Sequence, residues 1–315
     1  MESENCFISI CTPAYKRVDL LKRLIESIVI QTYANFEFII TDDSDDDTVK
    51  QLVDTCQHKL NIQYYKNEKA LGSPGNMNFG MDKANGEWIK VMHDDDWFSS
   101  PNSLAIFAAE TRKGKKFIFS AYQNCWEGST KMELVSLNSH AAKRILKYPA
   151  TLIAENVIGP PTVTMIHKSI QERYEPKMKW RVDQEFYMKI LSEEKDFSYI
   201  PMPLVNIGVS ESQVTNSCIN IPSVELPEGY LLLEKYGTKP LQHIMVYDAW
   251  WRILRNLNIT SQEQLTQFGQ TSWPPLIMAM VKHLSRWPAK FLRIGIVSKF
   301  AMFGSYCSNY LKSNF

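Results

Sequence analysis

The sequence predicts an α/β protein: a mainly parallel central sheet flanked by helices, followed by a helical C-terminal region. Three observations carry this. The first hundred residues alternate between short apolar, β-branched runs and stretches with apolar residues at helical spacing. The connections between them are short, which suits parallel strands crossed by helices. The chain has 315 residues, enough at roughly 150 per domain for two units.

Taken in order, FISICT (7–12) reads as a buried strand. Leu20, Leu21, Leu24, Ile25, Ile28 and Val29 then mark one helical face between Val18 and Ile30. FEFIIT (36–41) is a second strand, and Val49, Leu52 and Val53 share a helical face between Asp45 and Cys56. NIQYYK (61–66) is a third strand, residues 74–84 a third helix, and EWIKVM (87–92) a fourth strand. Ligands of such sheets collect beyond the carboxyl ends of the strands. Chemistry is therefore expected just after Thr12, Thr41, Lys66 and Met92.

Composition narrows the class. Hydrophobic residues at 44% and charged residues at 22% describe a folded chain, and a net charge of +1 gives no global field for nucleic acid. Six cysteines without a CxxC pair argue against a disulfide framework or a four-thiolate zinc site. The start, MESENCFISICTP, is acidic and lacks the features of a secretory signal. No run of ~18 apolar residues is free of charge, so no membrane span is expected. The last 43 residues hold Lys282, Arg286, Lys290, Arg293, Lys299 and Lys312 with no acid, leaving 29 basic and 34 acidic residues for the first 272. A basic tail on an acidic body suggests an anionic surface as its partner.

The strand ends are chemically distinctive. TPAYKR (12–17) after the first strand is not a dinucleotide fingerprint, and the chain carries no P-loop motif. TDDSDDDT (41–48) follows the second strand and HDDDW (93–97) the fourth. Carboxylates this dense repel one another unless a cation or hydrogen-bond donors compensate. At the first cluster, Ser44 or Asp45 is expected to cap the second helix, with acids favoured by the helix dipole. At the second, three carboxylates between apolar neighbours suit a hard divalent cation that shares its shell with phosphate oxygens.

The combination ISICTPAYKR (8–17), FEFIITDDSDDDT (36–48), ANGEWIKVMHDDDW (84–97) and VDQEF (182–186) resembles the family 2 glycosyltransferases, inverting enzymes of the GT-A fold, across roughly residues 7–215. The stretch 70–97 is similar to the branch that builds bacterial surface polysaccharides such as O-antigen and capsule. The resemblance implies a catalytic region over 1–215; beyond it the family gives no guidance, and Leu231 to Leu233 and VYDAWWRIL (246–254) suggest a helical region over 216–315. The resemblance also implies a nucleotide-sugar donor, with UDP- or dTDP-sugars favoured, and Mn²⁺ or Mg²⁺ as cofactor. Thr12, Pro13, Ala14, Tyr15 and Arg17 would line the nucleotide, with Asp42 accepting the ring N–H of the base and Asp43 and Asn76 beside it. Asp94 and Asp95 would contact the donor, and Asp96 with Asp94 would hold the metal. Asp183 falls at the position of the catalytic base, and it also suits the N-terminus of a helix. Gly159, Pro160 and Trp180 would lie on the acceptor side.

Two places depart from the family pattern. Met77 replaces an arginine that could touch phosphate, and Gly208 and Ser210 stand where an Arg-x-His is common, with Glu211 or Gln213 as candidate substitutes. His93 occupies the usual place of the first aspartate, while His167 and His243 read as structural. The expected activity is transfer of one sugar to an oligosaccharide acceptor, expected to be lipid-linked. The rivals are a catalytically inactive nucleotide-binding scaffold and a sugar nucleotidyltransferase. The tail 273–315 combines Trp, Phe and Leu with regularly placed basic residues, and Pro274, Pro275 and Pro288 break it into short helices. Such helices lie in a membrane interface without spanning it; the alternative is that they fold back onto the catalytic domain or form a dimer contact. The expected location is thus the cytoplasm, peripheral on the inner face of the cytoplasmic membrane, with a homo-oligomer left open.

Overall fold

The computed structural model describes residues 6–210, 217–268, 270 and 272–310. Its strands are β1 (Ile8–Ala14), β2 (Phe36–Asp42), β3 (Ile62–Lys66), β4 (Trp88–Val91), β5 (Trp97–Phe98), β6 (Phe117–Trp126), β7 (Met132–Val135), β8 (Thr164–His167) and β9 (Ser198–Val209). They form one sheet in the order β3-β2-β1-β4-β8-β6-β9-β5, with β7 paired to β6. The β3-β2-β1-β4 half is parallel throughout. Beyond it, β8 runs antiparallel to both β4 and β6, while β6 and β9 are parallel. Ile8, Ile10, Phe38, Ile39 and Ile40 are wholly buried, as strands covered on both faces require.

The first helices sit close to their expected spans: α1 (Val18–Val29), α2 (Thr48–Cys56) and α3 (Gly72–Lys83). Helix α1 buries Leu21, Leu24, Ile25 and Ile28. The expected cap at Ser44 or Asp45 is not formed, because both side chains are engaged elsewhere. The Ser44 hydroxyl accepts the Lys16 N–H at 2.9 Å, and Asp45 pairs with the Lys16 ammonium at 2.6 Å. Helix α2 starts three residues later, where Asp46 accepts the Thr48 N–H. Lys16 itself has φ +60°, the left-handed turn that carries the chain from β1 towards α1.

Helices α4 (Ser103–Glu110), α5 (Ser139–Lys147) and α6 (Val182–Glu194) complete the first of two compact units, which comprises Met1–Pro149, Asn156–Pro176 and Val182–Glu211. The second unit takes Ser212–Phe315 together with two short segments, Ala150–Glu155 and Lys177–Arg181, that the sequence placed in the catalytic region. Buried charge explains the addition. In α7 (Pro222–Tyr236) the carboxylate of Glu228 accepts three consecutive backbone N–H groups, from Lys179 (2.5 Å), Trp180 (2.9 Å) and Arg181 (2.9 Å). Arg181 pairs with Glu225 at 3.1 Å, both nearly inaccessible. A buried carboxylate costs several kcal/mol unless so satisfied, which fixes this segment in place.

The second unit continues with α8 (Ile244–Asn256), α9 (Gln262–Thr266), α10 (Pro275–Leu284), α11 (Ala289–Leu292) and α12 (Gly295–Tyr310). Tyr247, Trp250 and Trp251 of α8 are its buried core. Trp251 donates to Ser298 and Tyr247 shares a hydrogen bond with Ser305, tying α12 to α8. The prolines break the tail as expected, yet α12 is a sixteen-residue helix, and Trp273, Ile277, Met280, Leu284 and Leu292 face the core. Among the described residues no helix is long and apolar enough to cross a membrane.

Candidate active site

The carboxyl end of β4 gathers the second acidic cluster under cover. Asp94 and Asp96 are almost inaccessible. Asp96 accepts the Thr162 hydroxyl at 2.5 Å on one oxygen and the Gly208 N–H at 3.2 Å on the other. The same Thr162 hydroxyl accepts the His93 N–H at 3.1 Å. Burial, then the charge of Asp95, pushes the Asp96 carboxyl well above the usual range. Burial likewise pushes Asp94 up to about 7 against the pull of Arg17, and lowers His93, keeping its imidazole neutral.

Among the described residues His93, Asp95 and Asp96 form a possible metal group, each offering a ligand atom within 4.8 Å of the others. Asp94 is not part of it. Arg17 holds both Asp94 oxygens, through Nε at 3.2 Å and through Nη2, and reaches Asp95 through Nη1 at 2.7 Å. Of the expected metal pair, Asp96 belongs to this group and Asp94 does not. The physical reason is that a bidentate guanidinium fork takes up the Asp94 carboxylate. The residues present fit a divalent cation: His93 Nε2 is buried without a hydrogen-bond partner, and two carboxylates converge beside it. One neutral nitrogen with hard oxygens suits Mn²⁺ better than Mg²⁺.

Asp183 stands in the first turn of α6. Asn156 Nδ2 donates to it at 2.7 Å and to the Gly159 carbonyl at 3.1 Å, while Asn156 Oδ1 accepts the N–H groups of Ile158 and Gly159. Gly159 has φ +112°, and a Cβ there would lie 2.6 Å from Tyr122 Cε1, so only glycine fits. Three residues on, Thr162 holds Asp96. The turn 156–162 thus grips the base candidate at one end and the acidic cluster at the other. Burial, then Asp183 and more weakly Glu133 and Asp96, raises the Tyr122 phenol to about 12, so one ring senses both carboxylates. The inaccessible Lys90 pins the turn from below, donating to the Thr162 and Thr164 carbonyls at 2.6 and 3.4 Å over the Phe107 ring. Asn156, Thr162, Tyr122 and Lys90 were missed in the sequence, where only the Gly-Pro-Pro turn signalled anything.

On the nucleotide side the residues divide. Thr12, Pro13 and Ala14 lie within β1; Thr12 Oγ1 is buried without a partner, and Tyr15 is 53% exposed beyond the strand. Asp42 is inaccessible and accepts the Ser44 N–H, the Tyr64 hydroxyl and the Lys66 ammonium. Asp43 accepts the Asn67 amide and the Leu71 N–H. Asn76, expected beside the nucleotide, fastens the surrounding strands and loops. It is buried, it donates to the Ala14 and Thr41 carbonyls, and its oxygen takes the Asn67 amide.

Gly159 and Pro160 belong to the turn just described, while Trp180 belongs to the second unit, its N–H on Glu228. At the place of the family's Arg-x-His, a Cβ on Gly208 would lie 2.5 Å from the Asp95 carbonyl. The glycine lets β9 approach closely enough for its N–H to reach Asp96. Glu211 and Gln213 lie outside the described residues. His167 packs edge-on against Trp88, and His243 Nδ1 accepts the Met245 N–H at the start of α8, both structural.

This architecture is that of the GT-A glycosyltransferases. S. aureus TarS 1–349 in complex with UDP-GlcNAc superposes with a TM-score of 0.58 at 16% identity, over 89% of this chain and 90% of that one. The mannosyltransferase PcManGT from Pyrobaculum calidifontis, in complex with GDP-Man and Mn²⁺, gives 0.55 at 12% identity over 96% and 86%. The chain belongs to glycosyl transferase family 2, whose sequence profile matches residues 9–172. A curated relative from Campylobacter jejuni, GalNAc(5)-diNAcBac-PP-undecaprenol beta-1,3-glucosyltransferase, is 32% identical over 120 residues, 38% of each chain. The first curated relatives are matched over less than half of their own length.

Proposed function

We propose that this protein is an inverting glycosyltransferase that moves one sugar from a UDP- or dTDP-sugar to a hydroxyl of a lipid-linked oligosaccharide in bacterial surface polysaccharide synthesis. The observation that carries the reading is the turn 156–162, which holds Asp96 through Thr162 and Asp183 through Asn156. Asp183 takes the proton of the acceptor hydroxyl while that oxygen attacks the anomeric carbon. The bond to the nucleoside diphosphate breaks in the same displacement, so configuration inverts and no covalent enzyme intermediate forms. A Mn²⁺ ion held by His93, Asp95 and Asp96 would neutralise the negative charge that develops on the departing diphosphate. Arg17 sits on Asp94 and Asp95 and can turn to the phosphates once a donor arrives. Tyr15 offers its exposed ring to the base, and Asp42 offers a carboxylate to the base N–H. The UDP-GlcNAc bound by TarS and the Mn²⁺ with PcManGT support the donor class and the ion. The undecaprenol-linked acceptor in the Campylobacter relative's name supports the acceptor class.

A lipid-linked acceptor places the reaction at a membrane. Attachment is assigned to the stretch 287–303, where Trp287, Phe291, Ile294, Ile296, Phe300 and Phe303 are exposed, Phe300 by 70%. Arg286, Lys290 and Arg293 lie among them. Each basic residue near an anionic leaflet contributes about 1 kcal/mol. A panel of nucleotide sugars tests the enzymatic reading: turnover should vanish in EDTA and return with Mn²⁺. Asp183→Asn should lose about 10²-fold or more in kcat while still binding UDP. Undiminished turnover in chelator removes the metal, and near-normal turnover of the variant reassigns the base.

A further inference from the structure

We propose that a cavity in the helical unit binds the phosphate headgroup of an anionic membrane lipid. The cavity measures about 450 Å³ and is lined by Asn220, the end of α8 with the loop after it, and residues between Leu284 and Arg293. It is within the size range of small-ligand sites. Its lining includes Arg255, Arg293, Asn256, Asn258, Thr260 and Trp287, and no acidic side chain. Arg255 is pre-oriented: Nη1 donates to Ser298 at 2.9 Å, while Nε and Nη2 donate to Asn256 Oδ1. Arg293 is exposed and has no ion pair among the described residues. The nearest carboxylate on α8, Asp248, is already shared by Arg252 and Lys299. The closing carbonyls of α8 are also satisfied, since the Ile259 and Asn258 N–H groups take those of Leu254 and Arg255. Asp248 still favours the Arg255 charge from a distance. Two guanidiniums with amide and hydroxyl neighbours and no acidic side chain in the lining suit an anion, and phosphate oxygens match guanidinium N–H groups.

What makes the anion a lipid headgroup is the position of the cavity's rim. Trp287 and Arg293 line the cavity and also belong to the segment that exposes Phe291, Ile294 and Ile296. A phosphate seated between Arg255 and Arg293 therefore has an apolar strip beside it for an acyl or prenyl chain. A tryptophan at the boundary suits the headgroup level of a bilayer. This inference rests on the membrane reading above and adds to it a defined site.

The test is co-sedimentation of the full chain with vesicles of phosphatidylcholine, alone or mixed with phosphatidylglycerol. Arg293→Lys keeps the charge and loses the fork, whereas Lys290→Gln removes a charge that does not line the cavity. The site predicts that Arg293→Lys weakens binding to the anionic vesicles by about fivefold or more, and at least as much as Lys290→Gln does. If Arg293→Lys binds like the wild type, attachment is diffuse: the membrane reading stands and the site falls. If the wild type ignores anionic vesicles, both fall. A calorimetric titration with inorganic phosphate completes the test. Saturable phosphate binding that Arg293→Lys abolishes, with vesicle binding unchanged, would make the occupant a soluble phosphate and overturn the lipid.

Discussion

Two acidic clusters of similar charge density end the strands that flank β1, and they meet opposite fates. After β2, Asp42 and Asp43 are supplied with donors: the Ser44 and Leu71 N–H groups, the Tyr64 hydroxyl, the Lys66 ammonium and the Asn67 amide. The remaining acids of that run, Asp45, Asp46 and Asp47, stay in water, where Lys16 and Thr48 answer the first two. After β4 three carboxylates share Arg17, the Thr162 hydroxyl and the Gly208 N–H, and burial pushes Asp94 and Asp96 towards the protonated form. An acidic run is therefore not a metal site by itself. It fits one where burial outpaces the protein's own supply of positive charge and N–H groups, so that a cation would complete the balance.

This contrast can be broken outright. Asp96→Asn should lower kcat/KM and Mn²⁺ affinity by on the order of 10²-fold, while Asp46→Asn, with the same charge change in the other cluster, should stay within about twofold. Equal effects in an activity assay and a Mn²⁺ titration would erase the distinction. A smaller change sharpens it. Thr162→Val keeps the shape but removes the hydroxyl that serves both Asp96 and the His93 N–H, and about a tenfold loss of Mn²⁺ affinity is expected. Wild-type affinity would show that the turn does not tune the cluster.

At the first cluster the expected loss is of stability. Asn76→Ala leaves the Ala14 and Thr41 carbonyls and the Asn67 amide short of partners, so unfolding in urea should show about 1–3 kcal/mol of destabilisation. KM for the donor should not change; if it rises with stability intact, Asn76 faces the donor after all. The smallest effect is on pH. Asp94 has a folded-state value of about 7 against 3.8 ordinarily, so the folded state holds the extra proton between those values. Stability in chelator should therefore fall as pH rises from about 4 to 7. Asp94→Asn should flatten that slope in thermal melts, and an unchanged slope would assign it to another group.

Much of this was legible in the chain. The alternation of two periods marked each of the first strands and helices to within a few residues, because periodicity is a property of neighbours along the sequence. The acidic runs and Asp183 were visible for the same reason. What escaped were residues whose importance comes from their partners. Asn156 is an ordinary loop asparagine until Asp183 lies 2.7 Å away, and Lys90 is an ordinary strand lysine until Thr162 and Phe107 close over it.

The sequence by itself determined the fold class, the places where strands end and which of those ends carry carboxylates. Hydrophobic spacing and residue identity are local and need no third dimension to act. Only the tertiary structure decided which carboxylates converge beside His93 and which one Arg17 takes up. Asp94 and Asp96 are two residues apart, yet one faces Arg17 and the other Thr162 and Gly208. Those partners lie 77, 66 and 112 residues away in the chain, and it is their approach that removes water and sets the charge each aspartate carries.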